Sequence, residues 1–207
     1  MKFELNEKQK LIRRSIRKFS EKVLAPVAPI IDKELRFSWD TAKELSKINA
    51  WGIQLPEKYG GAALDSISYA IIIEEISRVC ASTGLNLTVH NSVGAYPIYK
   101  WGTKDQKEKF LPDLATGDKI AGFTWTEPNA GSDAAGIETM AIEEGDHLVV
   151  NGSKIFVTNG GVASVMIVGT RYVKENGEKG LATLILEKDM DGYEIGKKED
   201  KLGMRGS

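Results

Sequence analysis

Apolar residues recur every three to four positions through the first half of the chain. Beyond a point near residue 118 they alternate in short runs broken by Gly, Asn and Asp. The first regime predicts helices and the second predicts strands. Asn6 followed by Gln9 is a capping-box pattern, and Ile12, Ile16, Phe19 and Val23 then repeat at helical spacing until Ala25-Pro26 breaks the run. Asp40 is placed to cap a second helix carrying Ala42, Leu45 and Ile48, and Pro56 with Tyr59-Gly60-Gly61 marks a turn. Ser66 opens a third, strongly apolar helix to about Val79. Residues 85–99 read as a helix or helix pair, and Thr103 with Gln106 caps a last one burying Phe110, Leu111 and Leu114.

Strands are expected at 120–126, 136–143, 147–150, 165–170 and 181–187, the last two joined through a turn at 175–178. Asn151-Gly152 is a strong hairpin signal, because both central residues of a type I′ turn take positive φ; it predicts 153–158 as a return strand. The expectation is an α+β chain of two domains. An all-α domain at 1–117 precedes a mostly antiparallel β-barrel or sheet domain at 118–207, left incomplete. There is no internal repeat and no low-complexity segment.

Composition narrows the function classes. In 207 residues, 28 Lys and Arg nearly cancel 29 Asp and Glu, and no basic block is present to follow a phosphate backbone or an anionic surface. Nucleic acid and membrane are therefore not expected partners. The longest apolar runs, at 70–73 and 165–168, are far shorter than the roughly 20 residues that cross a bilayer. The first residues show neither a secretory h-region nor a transit-peptide composition, which predicts a cytoplasmic protein. Cys80 lies in an apolar helical pattern and reads as a small buried hydrophobe. Two histidines and one cysteine, far apart, give no metal-ligand spacing.

The candidate chemistry lies in Phe123-Thr124-Trp125-Thr126-Glu127-Pro128-Asn129-Ala130-Gly131-Ser132-Asp133, a strand running into a loop. Strand alternation sets Thr124 and Thr126 against Phe123 and Trp125, which suits a flat ring with a hydrogen-bonding edge. A second element, Lys154-Ile155-Phe156-Val157-Thr158-Asn159-Gly160-Gly161, repeats an aromatic, a hydroxyl and a glycine turn. Spacing alone does not separate these from two ordinary strand-to-turn transitions. Glu127 and Asp133 sit at turns, where acidic side chains cap backbone N–H groups. His90 reads as packed or solvent-facing, and His147 as a surface residue. Neither glycine pattern matches a Walker loop or a dinucleotide fingerprint.

Four motifs then stand together: Thr126-Glu127-Pro128, Ala130-Gly131-Ser132-Asp133, Asn151-Gly152-Ser153-Lys154 and Thr158-Asn159-Gly160-Gly161. Upstream are Leu55-Pro56-Glu57-Lys58-Tyr59-Gly60-Gly61, Gly102-Thr103 and Gln106-Lys107. In order and spacing this resembles the acyl-CoA dehydrogenase family over essentially the whole chain, nearest its bacterial short-chain (butyryl-CoA) branch.

The resemblance implies FAD clasped between the two domains, and α,β-dehydrogenation of an acyl-CoA to a trans-2-enoyl-CoA. Phe123, Trp125 and Thr126 would line the isoalloxazine. Gly131 and Ser132 would hold the pyrophosphate side, with Ser132 also meeting the acyl-CoA. Phe156, where the family often has tryptophan, would pack beside the ring together with Val157, and Thr158 would bond near the reactive nitrogen. Trp125 is bulkier than the aliphatic residue many relatives carry there. Asn86, Val89 and Val93 would border the acyl chain. The family's base is a glutamate on a C-terminal helical domain absent from this sequence, so no catalytic residue is assigned, and 201–207 reads as an interrupted motif of a longer protein. An electron-transfer flavoprotein and a homo-oligomer, a homotetramer, are the implied partners of the full-length enzyme. The alternatives are a non-catalytic fragment that binds flavin or acyl-CoA, or an acyl-CoA oxidase or flavin monooxygenase of the same fold.

Overall fold

The structure is a computed structural model describing residues 4–207. Local signals account for several of its helices. In α1 (Glu7–Phe19) the Gln9 N–H donates to Asn6 Oδ1 at 2.9 Å and the Asn6 N–H donates to Gln9 Oε1 at 3.1 Å, so both halves of the capping box form. The same reciprocal pair, Thr103 with Gln106, starts α7 (Lys104–Thr116). Past α1 the chain continues as a π-helical turn at Ser20–Leu24.

A short helix not expected from the pattern, α2 (Ala28–Glu34), begins beyond Pro26; its own Pro29 sits in the first turn, where a missing N–H costs nothing. The cap of α3 (Trp39–Ser46) is Ser38 rather than Asp40: Ser38 Oγ accepts from the Thr41 N–H, and Asp40 falls one residue inside, where its charge meets the helix N-terminus. Asp65 caps α4 (Ser66–Ser77). The 85–99 expectation resolves into α5 (Ala81–Val89), a π-helical stretch at His90–Ala95 and α6 (Tyr96–Trp101). Cys80 is buried as the N-cap of α5, between two helices rather than within one. Among the described residues no helix is long and apolar enough to cross a membrane.

The sheet is mixed, which corrects the expectation of a mostly antiparallel one. Its strands are β1 (Ala121–Thr124), β2 (Met140–Glu144), β3 (His147–Asn151), β4 (Val165–Val173) and β5 (Lys179–Glu187). β5 runs antiparallel to β4 along the whole of that strand and takes one of its edges. The other edge is shared end to end by two parallel strands. β1 pairs with Val165–Val168, and β2 pairs with Arg171–Val173, skipping Gly169 and Thr170. Among the strands of the described residues, only β2 with β3 and β4 with β5 are antiparallel. Parallel pairing of strands far apart in sequence leaves no local signature, so alternation alone could not reveal it. The sheet is open, not a closed barrel.

The Asn151-Gly152 hairpin does not form. Gly152 packs against Thr139, where a Cβ would lie 2.4 Å from Oγ1, and 152–155 continues without strand pairing until the Ile155 N–H donates to the Thr126 carbonyl at 3.0 Å. Close packing, not a tight turn, explains that glycine. The turn expected at 175–178 is present, with Gly177 at φ +82°.

The helices and the sheet share one interior. Trp51, Leu87 and Ile120 belong to one apolar cluster; Ala95, Leu111 and Leu114 pack with Ala121, Val165 and Ile167 in another. After β5 the chain is irregular, and Gly206 returns to the helices. Its N–H donates to Ser82 Oγ at 3.1 Å and its carbonyl accepts from Asn86 Nδ2 at 3.4 Å.

Candidate functional site

A cleft of about 150 Å³ opens where β1 leaves the sheet, lined by Val89 of α5, by Phe123, Thr124, Trp125 and Thr126, and by Ile155, Phe156 and Thr158. The two sequence elements that repeat an aromatic and a hydroxyl thus meet across one space. Phe123 and Trp125 lie nearly parallel, 18° apart with centroids at 6.4 Å, and form an apolar wall. The Thr124 hydroxyl is buried without a protein partner among the described residues. Phe156 is 75% exposed and held at φ +56°, a left-handed backbone uncommon for a bulky side chain. An exposed aromatic ring on strained backbone at a cleft mouth is placed for contact with something outside the chain.

Not every expected residue lines this space. Gly131 and Ser132 are exposed on the adjoining loop, where no backbone carbonyl accepts from the N–H groups of Gly131, Ser132 or Asp133 among the described residues. Adjacent free amides of this kind suit an anion. Val157 is turned away and packs with Ala163, Met166 and Val168. Val93 is partly buried on the π-helical stretch, outside the lining. Asn86 points to a different, very small cavity shared with Ile31, Phe37 and Gly206.

The loop beyond the cleft is fixed from beneath. Glu127 is buried, and its carboxylate accepts from the N–H of Glu138 at 2.5 Å and of Thr139 at 3.0 Å, from the Thr139 hydroxyl at 2.5 Å and from Lys154 Nζ at 2.7 Å. Burial by itself would push its pKa up. The Lys154 ammonium, the Thr139 hydroxyl and the two amides outweigh that and bring it down to about 2. Glu127 thus caps backbone N–H groups, but those eleven and twelve residues on rather than those of its own turn. Asp133 precedes a 3₁₀ turn at Ala134–Gly136 without a side-chain cap bond.

Other side chains that pattern reading did not single out complete the scaffold. Lys154 Nζ also donates to the Trp125 carbonyl at 3.0 Å, joining the two elements. Arg171 on β4 donates to the carbonyls of Ile137 and Ala135 at 2.6 and 2.9 Å. Asn159 Nδ2 donates to the carbonyls of Asn86 and Ala121 at 3.0 and 3.1 Å, tying the second element to α5 and β1. Gly169 leaves the space that the Trp125 ring occupies, since a Cβ there would fall 2.2 Å from Cε3. Lys154 and Asn159 stand inside the quoted motifs, whereas Arg171 and Gly169 carry no local sequence signal.

His90 is packed rather than solvent-facing. It is fully buried, edge-on to Trp51 at 4.9 Å, with Nδ1 accepting from the Ala121 N–H at 2.9 Å and Nε2 3.0 Å from the Leu114 carbonyl. The first contact needs a bare Nδ1, so the neutral Nε2–H tautomer fits both. Burial lowers its pKa to about 4, which keeps the ring neutral. It holds α7 to β1 and does not face the cleft. His147 is exposed.

Two family models match the chain: "Acyl-CoA dehydrogenase, N-terminal domain" over residues 6–118 and "Acyl-CoA dehydrogenase, middle domain" over 122–207. Among curated proteins it is 44% identical to the short-chain specific acyl-CoA dehydrogenase of Clostridium acetobutylicum, over all of this chain and 55% of that one. Butyryl-CoA dehydrogenase from Megasphaera elsdenii superimposes with a TM-score of 0.91 at 38% identity, covering 100% of this chain and 55% of that one. An acyl-CoA dehydrogenase from Bacillus anthracis, solved complexed with FAD, gives 0.88 at 32% identity over 98% of this chain and 35% of that one. The chain spans about half the length of the curated relatives it matches.

Proposed function

Because this chain belongs to the acyl-CoA dehydrogenase family, we propose that it forms the flavin-holding portion of an FAD-dependent dehydrogenase that converts a short-chain acyl-CoA to its trans-2-enoyl-CoA. The observation that carries this reading is a flat aromatic wall, Phe123 with Trp125, lining a cleft whose adjoining loop carries the free amides of Gly131–Asp133 and is hydrogen-bonded to Trp125 at Ala134. A flat ring attached to a pyrophosphate asks for both. The residues present fit FAD: the parallel rings match its plane, the unpartnered Thr124 hydroxyl and those of Thr126 and Thr158 offer hydrogen bonds to its polar edge, and the loop amides suit its phosphates.

When bound, the flavin supplies the hydride acceptor. The chain's own residues orient and exclude. Phe123 and Trp125 hold a ring in one plane, Phe156 covers the mouth, and Val89 presents an apolar surface to an acyl chain, with Val93 and Asn86 on the same helical stretch behind it. Ser132 stands exposed on the loop, where it can meet the CoA moiety. The lining holds no carboxylate to remove the α-proton, and Glu127 is occupied by four donors beneath the loop. The base is therefore proposed to come from outside these residues. An electron-transfer flavoprotein as electron acceptor, a homo-oligomer of the full-length enzyme and a cytoplasmic setting complete the proposal.

Titration with FAD tests it directly, since stacking on Phe123 and Trp125 quenches flavin fluorescence. Butyryl-CoA is expected to leave the oxidised band near about 450 nm intact in this chain and to bleach it in a longer protein that supplies a carboxylate base. A full-length protein that keeps its band with every thioester from butyryl to palmitoyl would overturn the reading.

A further inference from the structure

The loop at 130–139 is pinned at several carbonyls and amides, and one of its pins is unlike the rest. Glu127 and Arg171 hold it with side chains that do not line the cleft, Arg171 from the same face of β4 as Gly169. Trp125 instead forms part of the cleft wall and, through its indole N–H, donates to the Ala134 carbonyl at 2.7 Å. Its ring has one place to lie. It fills the space over Gly169, where any Cβ would collide with ring carbons at 2.2 to 2.6 Å, and its other neighbour is the parallel ring of Phe123. A plane that touches the cleft on its face and the loop at its edge joins the two at Ala134, apart from the Lys154–Glu127 link that reaches 138–139.

We propose that Trp125 is a positioning residue: its Nε1–H···O=C bond to Ala134 fixes the Gly131–Gly136 loop, and so its free amides, relative to the ring cleft. The inference rests on the flavin reading above and goes beyond it, because the indole donor is a property of this chain's tryptophan and has no counterpart in an aliphatic wall residue. Drawing the Ala134 carbonyl inward toward the indole, while Arg171 draws those of Ala135 and Ile137, leaves the N–H groups of Gly131, Ser132 and Asp133 on the outward side. A phosphate-bearing ligand whose ring rests on Trp125 then finds those amides already set, and the ordering cost of the loop is not charged to binding.

Trp125→Phe keeps a smaller aromatic plane beside Phe123 and removes the donor together with part of the ring packed over Gly169. In 15N relaxation on the 207-residue chain, the backbone order parameters of residues 131–136 are expected to fall from about 0.8 to below about 0.6. Those of β4 and β5, the internal reference for intact folding, should stay unchanged. FAD affinity, read by flavin fluorescence, should weaken about fivefold, the scale of one lost hydrogen bond. Gly169→Ala, which displaces the ring without removing the N–H, should loosen the same residues. Order parameters for Trp125→Phe that superimpose on those of the parent chain would overturn the proposal, as would equal FAD affinity in the two. If neither the parent chain nor the longer protein binds FAD, the flavin reading fails, and the order parameters alone still decide whether Trp125 positions the loop.

Discussion

Two regions within reach of the cleft treat their polar groups in opposite ways. At the junction of α7, α5 and β1, both nitrogens of His90 are used, and Asn159 spends its amide N–H groups on two main-chain carbonyls. On the loop at 131–133 three successive N–H groups meet no backbone acceptor. The first region is buried and, apart from the unpartnered side-chain oxygens of Asn159 and Asn86, its polar groups bond within the chain, so it fixes the helices to the sheet. The second is left open while everything around it is held, which is what a binding surface requires. Between them lies Glu127, a closed polar cluster whose job is to keep the open loop in place.

The sharpest way to break this contrast is to open what is closed. Glu127→Ala should cost about 4 kcal/mol in urea unfolding, because it strands the buried Lys154 ammonium along with two amides. His90→Leu should cost about 2 kcal/mol by leaving the buried Ala121 N–H without its side-chain acceptor and taking one of two donors from the Leu114 carbonyl, which keeps the Gly117 N–H at 3.3 Å.

The same two residues separate by pH. The folded pKa of His90 lies near 4, below its ordinary 6.5, so the unfolded chain takes up the proton first. Its contribution is present above pH 6.5 and is lost as pH falls from there through about 4. Glu127, lowered to about 2 from 4.5, loses its contribution only as pH falls below about 4.5. Urea midpoints between pH 7 and pH 4.5 should therefore fall in the parent chain and in Glu127→Ala, and stay flatter in His90→Leu. A His90→Leu slope equal to the parent's would show that the ring is not held neutral by burial.

The smallest effect on stability is expected at the open side. Phe156→Gly removes an exposed ring from left-handed backbone and should change stability by less than about 1 kcal/mol, while reducing FAD affinity. A large loss of stability there would mean the ring packs within the chain instead of serving a ligand.

What could be read beforehand follows the range of the forces involved. The capping boxes at Asn6 and Thr103 need only four consecutive residues, and both form as the pattern indicates. Phe123, Trp125, Thr126, Phe156 and Thr158 gather at one cleft, but not by strand alternation: β1 ends at Thr124, 152–158 forms no strand, and Thr124 and Thr126 line the same space as Phe123 and Trp125. The parallel seating of β1 on β4, and Gly152 set against Thr139, depend on residues far along the chain. So do the reach of Glu127 to Thr139 and the use of Arg171. Ser38 displaced Asp40 as a cap for a smaller reason, a shift of two residues in where α3 begins.

The break in one edge of β4 has a further consequence. β1 and β2 occupy that edge in line, and the excursion at 125–139 leaves it beside Val168 only to rejoin it at Arg171, across Gly169 and Thr170. In register terms this is one strand interrupted by a cassette. Both flanks are set by β4, so the cassette's exposed part around Gly131–Asp133 can be lengthened without moving any other strand, while Glu127, Ile137 and Thr139 stay buried as its anchors. By loop-closure entropy, doubling its length would cost only about 0.6 kcal/mol. Evolution and engineering alike could rewrite what this protein grips there and leave the sheet that carries it untouched.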